Sequence, residues 1–132
     1  MNNNPLRHPL GVVTLSNLAM PKDTNPNGDI FGGWLVSQMD LAASIAAKQL
    51  SKGRVVTVAI DKMVFKQPVH VGDLIRCYTE ITHIGRTSIE INVEVWSIPN
   101  AHEEQHLVTE GVFTFVAIDN GGRPRPLNLS DD

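Results

Sequence analysis

The stretch from Asn25 to Asp40, NPNGDIFGGWLVSQMD, carries three kinds of group that could do chemistry. Asp40 is a carboxylate set among valine, leucine, methionine and alanine, two turns into an apolar run that reads as a helix. It is not at the helix N-terminus, where the dipole would favour it. The position desolvates the carboxylate in part, which is one way proteins turn an aspartate into a working base. Gly32 and Gly33 stand at the helix start, where backbone N–H groups have no intrahelical acceptor. With no Cβ in the way, a phosphate or a developing oxyanion can approach those amides. Asn25, in the preceding loop, adds a neutral polar group. Together such groups can activate a water and hold the oxyanion formed when it attacks an acyl carbonyl. Thioesters suit this modest equipment, because their carbonyl is more electrophilic than an amide's and thiolate leaves readily. Taken singly, each group has a plainer explanation: an aspartate on a polar strip, and glycines that a tight loop requires.

These groups need elements to position them. Gly11–Met20 has the β-branched content and rough alternation of a strand, and Pro21–Asp29 is a loop dense in turn formers. Trp34 to about Leu50 reads as a helix, rich in Leu, Met and Ala, with Gly53 just beyond its end. On a helical wheel Leu35, Val36, Met39, Ala42, Ala43, Ala46, Ala47 and Leu50 fill one broad arc. Trp34, Leu41 and Ile45 fall outside that arc, among Ser37, Ser44 and Lys48, so the helix is expected to be enclosed on most sides, in part by a second subunit.

After the helix the period changes to two. Arg54–Lys66 puts Val56, Val58, Ile60 and Val64 on one face and Val55, Ala59, Met63 and Phe65 on the other. Leu74–Ile84 follows, then a strand in which Ile89, Ile91, Val93 and Val95 alternate with polar residues, then His106–Asp119 with Phe113, Phe115 and Ala117 on one side. The short connections predict antiparallel pairing among these four strands. The fold class is therefore α+β, with one helix covering a curved antiparallel sheet.

The totals fit a single domain over 1–132, with 1–10 and 127–132 expected as flexible tails. The apolar fraction of 42% and charged fraction of 19% are those of a globular protein. A net charge of −3 with dispersed basic residues leaves no footprint for nucleic acid or anionic membrane. No run is long enough to span a bilayer, the first residues lack a signal-peptide core, and the lone Cys77 cannot form an internal disulfide. A cytoplasmic location is the expectation.

Other motifs carry less. His102–His106, HEEQH, matches the H-E-x-x-H zinc pattern, but that motif works on a helix, and here it follows Pro99 and runs into a strand. It is read as a solvated loop, and no metal is expected. There is no G-x-S-x-G nucleophile elbow. Cys77 reads as a core residue and His70 as a turn residue, while Asp61 could reach the site or face solvent.

The blocks DTNPNGDIFGGWLVSQMD, GRVVTVAIDKMVFKQPVHVGD, GRTSIEINVEVW and FTFVAIDNGGRPRPL, in that order between about Leu15 and Leu127, resemble the hotdog-fold acyl-CoA thioesterases of the YciA type. The resemblance implies a curved antiparallel sheet wrapped around one long central helix. It implies hydrolysis of acyl-CoA to free carboxylic acid and CoA without a cofactor, by homodimers that share composite sites and assemble as trimers of dimers. On this reading Asp40 is the general base or, alternatively, a nucleophile forming an anhydride. Asn25 orients the water or thioester, and the Gly32 and Gly33 amides form the oxyanion hole. Coenzyme A falls to Arg86, Thr87 and Ser88 and, less directly, to Arg123 and Arg125, which alternatively only solvate the tail. A hotdog dehydratase would need a histidine near the helix, and none is there. A non-hydrolytic acyl-CoA-binding or sensor module is the alternative; it could dispense with Asp40 and would ordinarily carry a DNA-binding extension.

Overall fold

The computed structural model describes residues 7–99, 104–127 and 129. Its elements are β1 (Val12–Leu18), a 3-10 turn at Pro21–Asp23, α1 (Gly32–Ser51), β2 (Val55–Phe65), β3 (Leu74–Ile84), β4 (Ser88–Ile98) and β5 (His106–Ala117). All paired strands are antiparallel, in the order β1-β3-β4-β5-β2. The sheet curves around α1, which contacts all five strands: this is the hotdog arrangement. Register shifts in every pair of neighbouring strands add twist and bend, as β-bulges do.

The core lies between sheet and helix. Ile89, Ile91, Val93 and Val95 of β4 stand opposite Phe115, Phe113, Gly111 and Thr109 of β5, and all eight are buried. Leu35, Met39, Ala42, Ala43 and Ala47 of α1 close the other side. Three alanines on that face let the helix sit close to the strands. At Gly111 the approach is tightest, for a Cβ there would come within 2.8 Å of the Met63 methyl and 3.6 Å of the Met39 methyl. Truncating Phe113, fully buried, would cost about 3–5 kcal/mol.

Three expectations are corrected. β2 does not pair with β3; it crosses to the far edge and pairs with β5. Crossing two intervening strands takes about 14 Å, which residues 66–73 span with ease. Second, strict alternation fails in β2. Bulges between Thr57 and Ala59 and between Asp61 and Val64, with Lys62 at a φ of +55°, shift the faces twice. Val55, Thr57, Ile60 and Phe65 consequently stand opposite Ala117, Phe115, Phe113 and Thr109, on the helix side. Third, α1 begins at Gly32, two residues earlier than its apolar run suggests; at its other end it closes on Lys52 in the left-handed region (φ +57°), with Gly53 just beyond.

Residues 7–10, assigned from sequence to a flexible tail, lie against the sheet face away from α1. The Arg7 guanidinium meets Glu94 at 3.0 Å and Glu110 at 3.1 Å, and the Leu10 N–H donates to Glu94 at 3.2 Å. Glu94 is fully buried and also accepts the Trp96 indole N–H at 2.9 Å, so its charge is paired and hydrogen-bonded.

Candidate active site

The loop before α1 is held by its own polar groups. The Asn25 side-chain carbonyl accepts the N–H groups of Asn27 (2.9 Å) and Asp29 (3.1 Å), and its backbone carbonyl accepts that of Gly28 (3.0 Å). Gly28 sits at a φ of +87°, which only glycine adopts without cost. The helix start is then fixed from two sides, by Phe31 N–H on the carbonyl of buried Asp23 (3.0 Å) and Ile30 N–H on that of Val69 (3.1 Å).

Phe31 supplies no side-chain cap; its carbonyl accepts the N–H groups of Trp34 and Leu35. Among the described residues the N–H groups of Gly32 and Gly33 meet no acceptor. At Gly33 an added Cβ would meet nothing within 4 Å, while at Gly32 it would lie 3.3 Å from the Phe65 ring. Beside them opens a cleft of about 330 Å³, walled by Ile30, Leu35, Phe65, Pro68 and Val69 with Lys66 and Gln67 at its polar side. An apolar cleft edged by free amide donors can take an acyl group and hold its carbonyl oxygen.

Asp40 lies eight residues into the helix, about 12 Å along the axis from Gly32. It is half-buried, and its Oδ1 accepts a hydrogen bond from the Thr57 hydroxyl at 2.7 Å. Thr57 belongs to β2, whose outer edge has no strand beside it, and Val56, Val58, Ile60 and, on the helix, Leu41 are exposed there. The carboxylate therefore sits at a bare, apolar, unpaired edge of the molecule, which is where another strand could add. Among the described residues Asn25 and Asp40 share no hydrogen bond or bonding partner.

The remaining candidates gather at the other end of the helix. Arg86 and Thr87 form the β3–β4 turn and Ser88 opens β4. The Arg86 carbonyl accepts Leu127 N–H (2.8 Å) and the Thr87 carbonyl accepts Ala117 N–H (2.9 Å), so the segment of Arg123 and Arg125 runs beside this turn. Arg86 and Arg123 are exposed there, and exposed Arg54 reaches the same segment through its guanidinium on the Asn120 carbonyl at 3.4 Å. Arg125 differs: its Nε donates to the Ile118 carbonyl (3.1 Å) and its Nη2 to that of Ser51 (3.2 Å).

The residue that sequence reasoning missed is Thr57. Its signal was a single hydroxyl inside the apolar run VVTVAI, legible only once the strand's face is known. Asp61 stands opposite Val112 on the face away from the helix, and His70 shapes its turn by donating its N–H to Asp73 at 3.0 Å. Cys77 is fully buried and burial pushes its thiol up to about 12, so it is a core residue. In HEEQH, His102 and Glu103 lie outside the described residues, while His106 opens β5. Among the described residues no three His, Cys, Asp or Glu side chains could hold a metal together.

Residues 27–102 match the Thioesterase superfamily. The acyl-CoA thioester hydrolase YciA of Salmonella typhimurium is 52% identical over 122 residues, 90% of this chain and 92% of the relative. The chain belongs to the YciA-type acyl-CoA thioesterases. Among solved members of the fold, the hexameric thioesterase of Yersinia pestis superposes with a TM-score of 0.88 at 51% identity, covering 92% of this chain and 98% of that one. A Staphylococcus aureus acyl-CoA hydrolase, solved with butyryl coenzyme A and coenzyme A, superposes at 0.80 with 28% identity, covering 89% and 74%. Across these YciA-type and related chains the fold persists while identity falls by almost half.

Proposed function

We propose that this thioesterase hydrolyses acyl-CoA to a free acid and CoA in sites shared between two subunits. The observation that carries the reading is the Asp40–Thr57 pair on an unpaired edge, about 12 Å along the helix from amides that no group among the described residues engages. A base one water away from a carbonyl and donors about 3 Å from its oxygen lie closer together than that. Asp40 of one subunit therefore works with the Gly32 and Gly33 amides of the other, brought together when two β2 edges join. The Asp40 carboxylate takes a proton from water as the oxygen attacks the carbonyl carbon. The amides hold the oxyanion, the C–S bond breaks on its collapse, and the departing CoA thiolate takes up the proton held by Asp40, which restores the carboxylate. Thr57 fixes the carboxylate, and Asn25, on its braced loop, orients the water or the thioester.

Two further facts support these assignments. In the Staphylococcus aureus hydrolase the asparagine and the aspartate replaced by alanine are fifteen positions apart, the spacing of Asn25 and Asp40. Several similar chains are hexameric, and a trimer of dimers is the assembly proposed here. The phosphates of CoA fall to the Arg86, Thr87 and Ser88 turn, where guanidinium forks suit phosphate geometry.

The test is CoA-thiol release from short, medium and long acyl-CoAs by wild type and Asp40→Asn. Loss of a positioned base lowers kcat by about 10²–10⁴. Wild-type protein that binds CoA esters without turning them over would leave a binding module instead, and equal rates in both proteins would move the base elsewhere.

A further inference from the structure

Arg125 occupies a position that a phosphate ligand would not. Its side chain turns inward, half-buried, with Nε on the carbonyl of Ile118 and Nη2 on that of Ser51, one of the last carbonyls of α1. Those carbonyls carry the negative end of the helix dipole and have no intrahelical donor, so a guanidinium there is favourably placed. Gly53 makes room for it: a Cβ at Gly53 would stand 2.4 Å from Nη2. Gly53 is not at a positive φ, so no special backbone angle calls for glycine there.

The same residue threads the tail onto the sheet. Arg125 N–H donates to the Ala117 carbonyl (2.9 Å), Leu127 N–H to that of Arg86 (2.8 Å), and Arg123 closes a turn with Asp119 through both its N–H (2.9 Å) and its carbonyl (2.8 Å). One guanidinium thus ties the helix end, the end of β5 and the tail together. Arg123 and, through the Leu127 N–H on its carbonyl, Arg86 belong to the backbone stretch on the two sides of Arg125, and both are exposed.

We propose that Arg125 is a positioning residue for the nucleotide end of coenzyme A: it does not touch the phosphates, and it orders Arg86 and Arg123, which do. This rests on the acyl-CoA reading above and adds a division of labour among the arginines. Without the tie, the basic groups remain but must be ordered by the ligand on binding, which costs affinity.

The experiment compares wild type, Arg125→Ala and Gly53→Ala, all as assembled protein, with an acyl-CoA and with the same acyl group on pantetheine, which lacks the nucleotide. CoA affinity is measured calorimetrically alongside, so that the outcome does not depend on turnover. The expected result is a rise of about ten-fold in KM for acyl-CoA and in Kd for CoA, the size of one lost charge-assisted contact, with kcat and the pantetheine ester unaffected. Gly53→Ala, which displaces only the end of the flexible Arg125 side chain, should give a smaller effect in the same direction. In an Arg86→Ala, Arg123→Ala background, Arg125→Ala should have no further effect, because its partners are gone. An undiminished effect in that background would make Arg125 a direct ligand, and equal losses on both esters would make it a purely structural residue; either overturns the proposal. If no thioester is turned over, the hydrolase reading fails, and the CoA affinities alone decide this one.

Discussion

At the start of α1 the amides of Gly32 and Gly33 meet no acceptor among the described residues, and Phe31 supplies no side-chain cap. At its end, the Lys48 carbonyl takes the N–H of Lys52 at 2.8 Å and the Ser51 carbonyl takes the Arg125 guanidinium. Both ends are equally in need of partners by the geometry of a helix. The chain has partnered two carbonyls at one end from within and left the other end open beside a cleft. An open end is available for a substrate, and a partnered end is a fixed point from which neighbouring groups can be aimed. Glycines mark both, for opposite reasons: nothing stands near the missing Cβ of Gly33, whereas the space beside Gly53 is already filled.

Adding one methyl at each end separates the two roles. Gly33→Ala should lower kcat on the order of 10², since it obstructs an oxyanion donor. It should leave the melting temperature the same or higher, since alanine is the better helix residue by up to about 1 kcal/mol. A loss of fold with the activity would break the comparison. Thr57→Val should cost roughly ten-fold in kcat, the value of one hydrogen bond to a charged group, with KM little changed. A steady-state rate series on one acyl-CoA checks both. Gly53→Ala should do the reverse of Gly33→Ala, keeping kcat while losing less than about 1 kcal/mol of stability, because the end of the flexible Arg125 side chain has to move aside, read by denaturant titration.

The smallest expected effect concerns Cys77. Its thiol, pushed up to about 12 by burial, should not react with a disulfide reagent at pH 8 until the protein is unfolded. The sign of the linkage follows from a folded-state value above the ordinary 9.0 of the thiol. Its contribution to stability is complete below about pH 9 and is lost as pH rises towards 12, because only the unfolded state ionises in that window. A stability that rises with pH over that window would contradict the buried assignment.

How much was legible beforehand follows the same division. The α+β class, the helix and the inner faces of β4 and β5 were written in local periodicity, because Ile89 to Val95 and Phe113 to Ala117 alternate without interruption. The edge strand was not, because two bulges rotate β2 and no local pattern announces a bulge. That error hid Thr57, which lies seventeen positions from Asp40 and meets it only after β2 has crossed to the outside of β5. The Asn25–Gly33 stretch was visible as turn chemistry and glycines. The inward use of Arg125 was not, since its partners are carbonyls of residues 51 and 118 and carry no side-chain signature. Contacts made through backbone atoms between distant segments are the part that residue types cannot announce.

The central claim is that base and oxyanion donors in one site come from different chains. Asp40→Asn and Gly33→Ala, each nearly inactive alone, can be co-expressed with different tags and the mixed assemblies purified through both. If sites are shared, every dimer holding one of each has one intact site, and a statistical mixture should recover about a quarter of wild-type activity. Recovery of nothing beyond the parents' residual rates would mean that Asp40 serves the amides of its own chain, and the composite site would be wrong.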